Sequence, residues 1–274
     1  MKKVKLRVGG VPEYFNLPLH LAIESGEFEK SSLDVDWIRF DGGTGTMTEA
    51  LEEGVADLCI ILTEGIIKYI INGGQSKLIS LHVSSPLCWG IHTGYKNSLK
   101  DYRNIFDKKY AISRFGSGSH LMAMVDANSN GKKIKSTQFV PLKNLDNALE
   151  SLEKCETDVF YWEKYTTKPY VDSGQLRRIG EYLTPWPCFV IAASDRIIEA
   201  HPDALKLFLK VLHQSNAKFM NDDMSVEMIS NRYDLDWKDA EKGFHSTEWA
   251  TNGWINDKMI KNVVYNLKLA GIIK

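Results

Sequence analysis

The sequence predicts an α/β protein of two similar lobes, each a mostly parallel sheet flanked by helices. Three observations carry this reading. Short apolar strand-like runs alternate with amphipathic helical segments in the first part of the chain. The same alternation restarts at "KKYAIS". Beyond Val190 the chain gives one more strand, "CFVIAAS", and then only helical segments.

In order, "VKLRVG" reads as a strand, "LPLHLAIESGEF" as a helix and "LDVDWIRF" as a second strand. "TMTEALEEG" carries Met47, Ala50 and Leu51 at helical spacing. "DLCIIL" is a buried strand, Thr63 is expected to cap the helix "EGIIKYIING", and "KLISLHV" is a strand. In the second part "KKYAIS", "TQFVPL", "TDVFYWE" and "QLRRIGEY" are strands. The helices between them are "GSGSHLMAMVDAN", "NLDNALESLEK", with Leu145, Leu149 and Leu152 on one face, and "KYTTKPYVDSG". Four helices close the chain, and the first of them has Pro202 at a favourable first-turn position.

The halves echo each other: "EALEEGVADLCIILTEG" and "NALESLEKCETDVFYWEKY" share Ala-Leu-Glu, a gap, an Asp and a buried strand ending in a polar loop. A helical tail is a poor independent domain, so it is expected on the first lobe. That makes lobe 1 discontinuous, residues 1–87 plus 188–274, with lobe 2 at 88–187 and "SSPLCWG" and "TPWPC" as hinges.

Composition narrows the function. With 274 residues, 43% hydrophobic and 25% charged, the chain is ordinary globular material. A net charge of -1 gives no basic field for nucleic acid. Cys59, Cys88, Cys155 and Cys188 stand too far apart for a zinc motif, and Cys59, Cys155 and Cys188 are expected to be small buried residues. No metal or cofactor is expected. "MKKVKLRVGGVPEYF" lacks the apolar core of ~7–15 residues that a signal peptide needs, and no run of ~18 apolar residues spans a membrane. The expected location is cytoplasmic, or periplasmic or cell-surface if a signal has been trimmed away.

The glycine turns carry the site. "FDGGTGTMTE" follows a strand and opens a helix, but no lysine follows its last glycine, which excludes a nucleotide-hydrolysing loop. Thr46 and Glu49 fit a capping box, and amides at Gly43, Thr44, Gly45 and Thr46 suit an anion or polar ligand. "SRFGSGSH" is read as its counterpart, with Arg114, Ser117, Gly118, Ser119 and His120. Each turn taken alone also reads as a plain βα connection. Thr63 and Glu64 end one strand, and Trp162 and Glu163 end another. Tyr14, Phe15 and Asn16 lie in the first βα loop, and Trp89 and Trp186 at the crossovers. Ligands in open α/β sheets bind beyond the carboxyl ends of strands, so these groups are expected to line a cleft. No GxSxG occurs, adjacent Ser119 and His120 diverge on a helix, and no catalytic residue is assigned.

On "VGGVPEYFNLPLHLAIESGEFEKSSLDVDW", the GTG turn before "EALEEGVADL", and "HPDALKLFL", the chain resembles type II periplasmic solute-binding proteins. Within them it resembles the sulfonate, nitrate and thiamine-pyrimidine branch. Gly26, Phe28, Leu33 and Val35 match that family's opening pattern. "TEG", "RFGSGSH", "FYWEKYTTKP" and "RRIGEYLTPWPCFV" look like a sub-branch shared by bacteria and fungi whose members commonly lack an export signal. The resemblance implies two lobes closing on one small ligand as the substrate-binding, monomeric component of an ABC-type importer, with a permease as partner. Its contact loops map onto Asn16, Gly43–Thr46, Thr63–Glu64, Trp89, Ser117–His120, Trp162–Glu163 and Trp186. Helix N-termini and Arg114 favour a sulfonate-like anion, while Trp89, Trp162 and Trp186 favour a pyrimidine-like heterocycle. The alternative is an enzyme on the same fold, like the thiamine-pyrimidine synthase or a chorismate dehydratase. The chain lacks the cysteine-rich iron motif of the former.

Overall fold

The apolar runs Leu58–Leu62 and Phe189–Ser194 lie inside a sheet, and the charge-bearing run Leu33–Arg39 lies at its edge. The computed structural model describes residues 3–274; Met1 and Lys2, part of the N-terminal reading, lie outside the described residues. It holds ten strands and twelve α-helices among them, in two five-stranded sheets. The chain groups into two units. One runs to Pro86 and takes up Trp186–Lys261; the other comprises Leu87–Pro185 and Asn262–Lys274.

In the first unit the strands are β1 (Val4–Gly10), β2 (Leu33–Arg39), β3 (Leu58–Leu62), β4 (Ser76–Val83) and β10 (Phe189–Ser194). Their order is β2-β1-β3-β10-β4. β1 pairs in parallel with β2 and β3, and β10 pairs antiparallel with β3 and β4. β10 is buried along its whole length, as a near-continuous apolar run in a covered sheet requires. The edge strand β2 exposes Asp34, which blunts edge-to-edge pairing. Helices α1 (Leu17–Glu24), α2 (Glu27–Lys30), α3 (Thr44–Glu52) and α4 (Thr63–Ile71) connect these strands. α1 and α2 replace the single predicted helix, because Gly26 adopts the left-handed conformation between them.

The second unit repeats the plan with β5 (Cys88–Gly94), β6 (Tyr110–Ile112), β7 (Phe139–Pro141), β8 (Val159–Glu163) and β9 (Leu176–Leu183). The order is β7-β6-β8-β5-β9, with β5 antiparallel to both neighbours. Each sheet is therefore mostly parallel with its fourth strand reversed. β5 departs from expectation: the sequence places the hinge "SSPLCWG" over residues 84–90 and no strand after it, whereas a strand starts at Cys88 and is buried from Trp89 onward. Helices α5 (Gly118–Ser129), α6 (Leu145–Glu153) and α7 (Lys168–Asp172) follow β6, β7 and β8. Leu149 and Leu152 of α6 pack with Phe160 in one cluster, and Leu145 joins it from the margin.

The tail forms α8 (Asp195–Ala200), α9 (Pro202–Met220), α10 (Ser225–Tyr233), α11 (Trp237–Ser246) and α12 (Asp257–Leu269). α9 lies against α1 and α2, where Phe208 stacks on Phe28 with ring centroids 5.2 Å apart. Trp249, almost fully buried, donates its indole N–H to the Phe15 carbonyl at 2.8 Å and so ties the tail to the first βα loop. The last part of α12 departs from the expected placement on the first unit, since residues from Asn262 group with the second. Cys155 is also a correction. It is exposed and has a φ of 57°, because it turns the chain out of α6 instead of filling a core, while Cys59 and Cys188 are buried.

Candidate functional site

In the first unit the predicted residues meet at the carboxyl edge of the sheet. β10 is reversed, so the residues before it return to the edge where β1, β2 and β3 end. The backbone N–H of Thr63 donates to the Cys188 carbonyl at 3.0 Å, and its hydroxyl to the Pro187 carbonyl at 2.6 Å. Trp186 Nε1 then donates to Glu64 Oε2 at 2.9 Å. Thr63 does not cap α4: Leu62 holds the cap position, and the hydroxyl is spent on Pro187. The glycine turn joins this cluster. Thr44 Cγ2 lies 2.2 Å from where a Cβ on Gly65 would stand, so only glycine lets α3 and α4 approach this closely.

The turn itself differs from expectation. α3 begins at Thr44, with Gly43 as its cap residue at φ 66°, so Thr46 lies inside the first turn. Its hydroxyl donates back to the Gly43 carbonyl at 2.9 Å, and the expected capping box with Glu49 does not form. The first-turn amides still lack intrahelical acceptors by helix geometry. Asn16 is fully buried and donates through Nδ2 to the Val11 carbonyl at 2.8 Å. Tyr14 is buried as well, its hydroxyl 3.2 Å from that of Thr247. His82, which the sequence reading passed over, binds the Phe15 carbonyl through Nε2 at 2.9 Å and fixes the loop from below.

In the second unit the "GSGSH" turn is a true cap. Ser117 Oγ accepts from the His120 amide at 3.4 Å and lies 3.0 Å from Ser119 Oγ. Gly116 N–H donates to His120 Nδ1 at 3.0 Å, which makes Nδ1 the acceptor nitrogen of that ring. The ring sits edge-on to Phe139 at 4.5 Å. Gly118 opens α5, and Arg114 precedes the turn, half-buried. At the end of β8, Glu163 Oε2 accepts from the Tyr165 and Thr166 amides at 2.9 and 2.6 Å and from the Thr166 hydroxyl at 2.8 Å. Trp89 stands directly opposite Glu163 in the antiparallel pair. It is 4% exposed, and its indole N–H has no hydrogen-bond partner. Trp162 turns to the other face, stacks on Phe160 at 5.2 Å and packs against the apolar cluster.

The topology corrects one equivalence. The "GSGSH" turn follows β6, whose place in its sheet is that of β1, whereas "GGTGT" follows β2, whose place is that of β7. The two glycine turns are therefore not counterparts. The Glu–Trp pairs lie by corresponding strands but not at the same register, since Trp89 opposite Glu163 in the β5–β8 pair holds the place of Phe189 opposite Leu62 in the β10–β3 pair. Glu64 follows β3 and Glu163 ends β8; Trp186 precedes β10 and Trp89 lies at the start of β5. The "EALEEG"/"NALESLEK" echo matches this alignment, since α3 and α6 occupy the same step.

The two carboxyls differ in their partners. Burial pushes Glu64 up to about 7, against the Trp186 bond and a backbone N–H, and Oε1 has no partner. Glu163 is also raised by burial, opposed by its bonds from Thr166 and Tyr165 and by the charge of Arg178. Both follow the rule that a buried carboxyl without a close ion pair holds its proton more tightly. Among the described residues no group of three His, Cys, Asp or Glu side chains is gathered in a way that would hold a metal. A concavity of about 1030 Å³ lies elsewhere in the second unit, lined by Asn97, Arg103, Lys108, Lys132, Lys133 and Asp158, and none of the predicted site residues lines it.

Comparison with known proteins bears on the fold. A family profile described as "Ca3427-like PBP" matches residues 89–182. The CA3427 gene product of Candida albicans, described as exhibiting the generic periplasmic binding protein fold, is 28% identical. The match covers 98% of this chain and 90% of that one, with a TM-score of 0.92. The alkanesulfonate-binding protein SsuA of Xanthomonas axonopodis pv. citri, solved bound to MOPS, is 17% identical over 100% of this chain and 96% of its own, with a TM-score of 0.80. The aliphatic sulphonate binding protein SsuA of Escherichia coli is 15% identical over 98% and 86%, with a TM-score of 0.74. A comparison with curated proteins returns no match.

Proposed function

We propose that this chain, which has the periplasmic-binding-protein-like type II fold, is a solute-binding protein for a small organic ligand. As a monomer it would deliver that ligand to an ABC-type importer. The observation that carries the reading is a buried Glu and a buried Trp at the carboxyl edge of the parallel strands of each sheet. It leaves Oε1 of Glu64 and Nε1 of Trp89 buried without partners. Such groups cost free energy unless something outside the chain satisfies them. Delivery to an importer requires the protein outside the cytoplasm, which cell fractionation checks.

The test is a thermal-shift and calorimetric screen of the purified chain against sulfonates, nitrate, bicarbonate, pyrimidines and other small solutes. A ligand at ~100 times its Kd adds about 2.7 kcal/mol of stability. Saturable binding without turnover supports the proposal, and a screen with no binder of any class refutes it. A second reading, an enzyme on the same fold, rests on Glu64 being raised to about 7, the range of a general acid or base. Chemical conversion of the bound solute, lost in Glu64→Gln, selects that reading.

A further inference from the structure

The second unit's concavity of about 1030 Å³, away from the strand-end residues, is at the upper end of the size of a small-molecule site. Its walls come from residues 97–108, from Lys132 and Lys133 just beyond α5, and from Asp158. Buried groups hold these walls in place. Asp126 of α5 has no exposed surface. It accepts from the Tyr102 hydroxyl and, at 2.9 Å, from Nδ2 of Asn130, which also donates to the Tyr102 hydroxyl at 2.9 Å. One carboxylate thus fixes both the segment around Tyr102 and the turn that leads to Lys132 and Lys133. Asp158 fixes a third point, accepting from Nδ2 of Asn97 at 2.9 Å and from the Lys109 amide at 3.0 Å.

The acceptors of these walls are spent within the protein. Arg177 of β9 donates to the carbonyls of Tyr95, Asn97 and Leu99 at 2.8, 3.1 and 3.3 Å. Nε2 of Gln138 donates to those of Phe106 and Lys108 at 3.1 and 2.8 Å. Asp101 is engaged by Arg103, and Asp107 by Lys108. Cations are left over. The side chains of Lys100, Lys132 and Lys133 make no ion pair or hydrogen bond among the described residues. The lining carries five cations against three carboxylates, although the net charge of the chain is -1.

We propose that this concavity is a second ligand site, for a small oligophosphate anion. It lies apart from the strand-end residues and does not depend on what they bind. Cations drawn from two segments suit a ligand charged at more than one point. The unpaired cations are all lysines, compact charges without the planar arginine fork that matches a carboxylate. Tetrahedral phosphate groups meet such point charges from any side. Ser98 and Asn104 add neutral donors to the same lining. Because Asp126 and Asp158 already hold the walls, binding does not have to order the backbone there.

The experiment is isothermal titration calorimetry of the full chain at about 150 mM salt, where long-range attraction between exposed charges is screened. The probes are inorganic tripolyphosphate, ATP, orthophosphate and hexaglutamate. The variants are K132E/K133E and, with the same change in net charge, K210E/K242E at exposed positions of the first unit. The expected result is saturable binding of tripolyphosphate, of ATP or of both. Binding should be at least about tenfold weaker with orthophosphate and in K132E/K133E, and unchanged in K210E/K242E. The tighter of the two oligophosphates names the source, a nucleotide or an inorganic chain. Silence from both, equal binding of orthophosphate, undiminished affinity in K132E/K133E, or equal weakening in the two double variants overturns the proposal. Equal binding of hexaglutamate overturns it as well and assigns the concavity to an acidic peptide. If K132E/K133E does not fold, the orthophosphate and hexaglutamate arms on the native chain decide alone.

Discussion

The indole of Trp186 donates to one oxygen of Glu64 over 2.9 Å and leaves the second oxygen of that fully buried carboxyl unpaired. The residues are 122 positions apart in sequence, yet both are set by one antiparallel pairing, that of β3 with β10. The bond orients the carboxyl without neutralising it. That half-satisfied state makes the first unit sensitive to protons.

The pH profile of stability is the first consequence. Glu64 moves from an ordinary 4.5 to about 7 in the folded protein, so folding takes up a proton between those values. For a raised acid the stabilising contribution is complete below about pH 4.5 and is lost as pH rises to about 7. The loss is on the order of 3 kcal/mol at about 1.4 kcal/mol per pH unit. His82 and His92, lowered by burial to about 4 and about 3, slope the other way and lose stability as pH falls below about 6.5. Subtracting the urea-unfolding profile of Glu64→Gln from that of the native chain isolates the carboxyl. A flat difference between pH 4.5 and 7 would refute the assignment.

Close approach of α3 to α4 depends on Gly65. A Cβ there would lie 2.2 Å from Thr44 Cγ2, so Gly65→Ala is expected to destabilise by about 1–3 kcal/mol through overpacking. Thr44→Ser deletes the offending methyl and should recover most of that loss in the double variant. Additive losses in a denaturant cycle would show that the contact is not the cause.

Asp57 anchors the start of β3 to the middle of β1. Its carboxylate accepts from Arg7 Nε at 3.0 Å, from the Arg7 backbone at 2.9 Å and from Arg196 at 3.0 Å. Burial pushes its pKa up, but the Arg7 bonds outweigh burial and the net shift is downward. Asp57→Ala is expected to cost about 3 kcal/mol. Because the folded pKa is depressed, the stabilisation is present at neutral pH and lost as pH falls through the carboxylate range. An Asp57→Ala chain with native urea midpoint at pH 7 would contradict this.

Trp89 separates binding from stability. Its buried N–H has no partner, so Trp89→Phe removes an unsatisfied donor along with part of the ring. The expected change in stability is within about 1 kcal/mol of zero, with a weaker affinity for any solute that the screen finds. A large loss of stability with unchanged affinity would make Trp89 a packing residue only.

Much of this protein is legible in its sequence. The period of the apolar residues marks every strand but β5, the restart at Lys108 and the change to helices after Val190, because those patterns depend on local geometry alone. Glu64 and Glu163 are legible as polar residues that end apolar strand runs, whereas Asn16, Trp89 and Trp186 are marked only by their place in the first βα loop and at the crossovers. Tertiary structure decided the rest. Sheet order showed that "GGTGT" and "GSGSH" are not equivalent positions, a fact that no one-dimensional echo contains. It also showed that the end of the expected hinge "SSPLCWG" opens an inner strand, Cys88–Gly94, and that Trp162 packs on the apolar cluster. The unpaired oxygen of Glu64 belongs to this second kind. A residue's identity fixes how many hydrogen bonds it can make, but only the packing of distant segments around it fixes how many it does make.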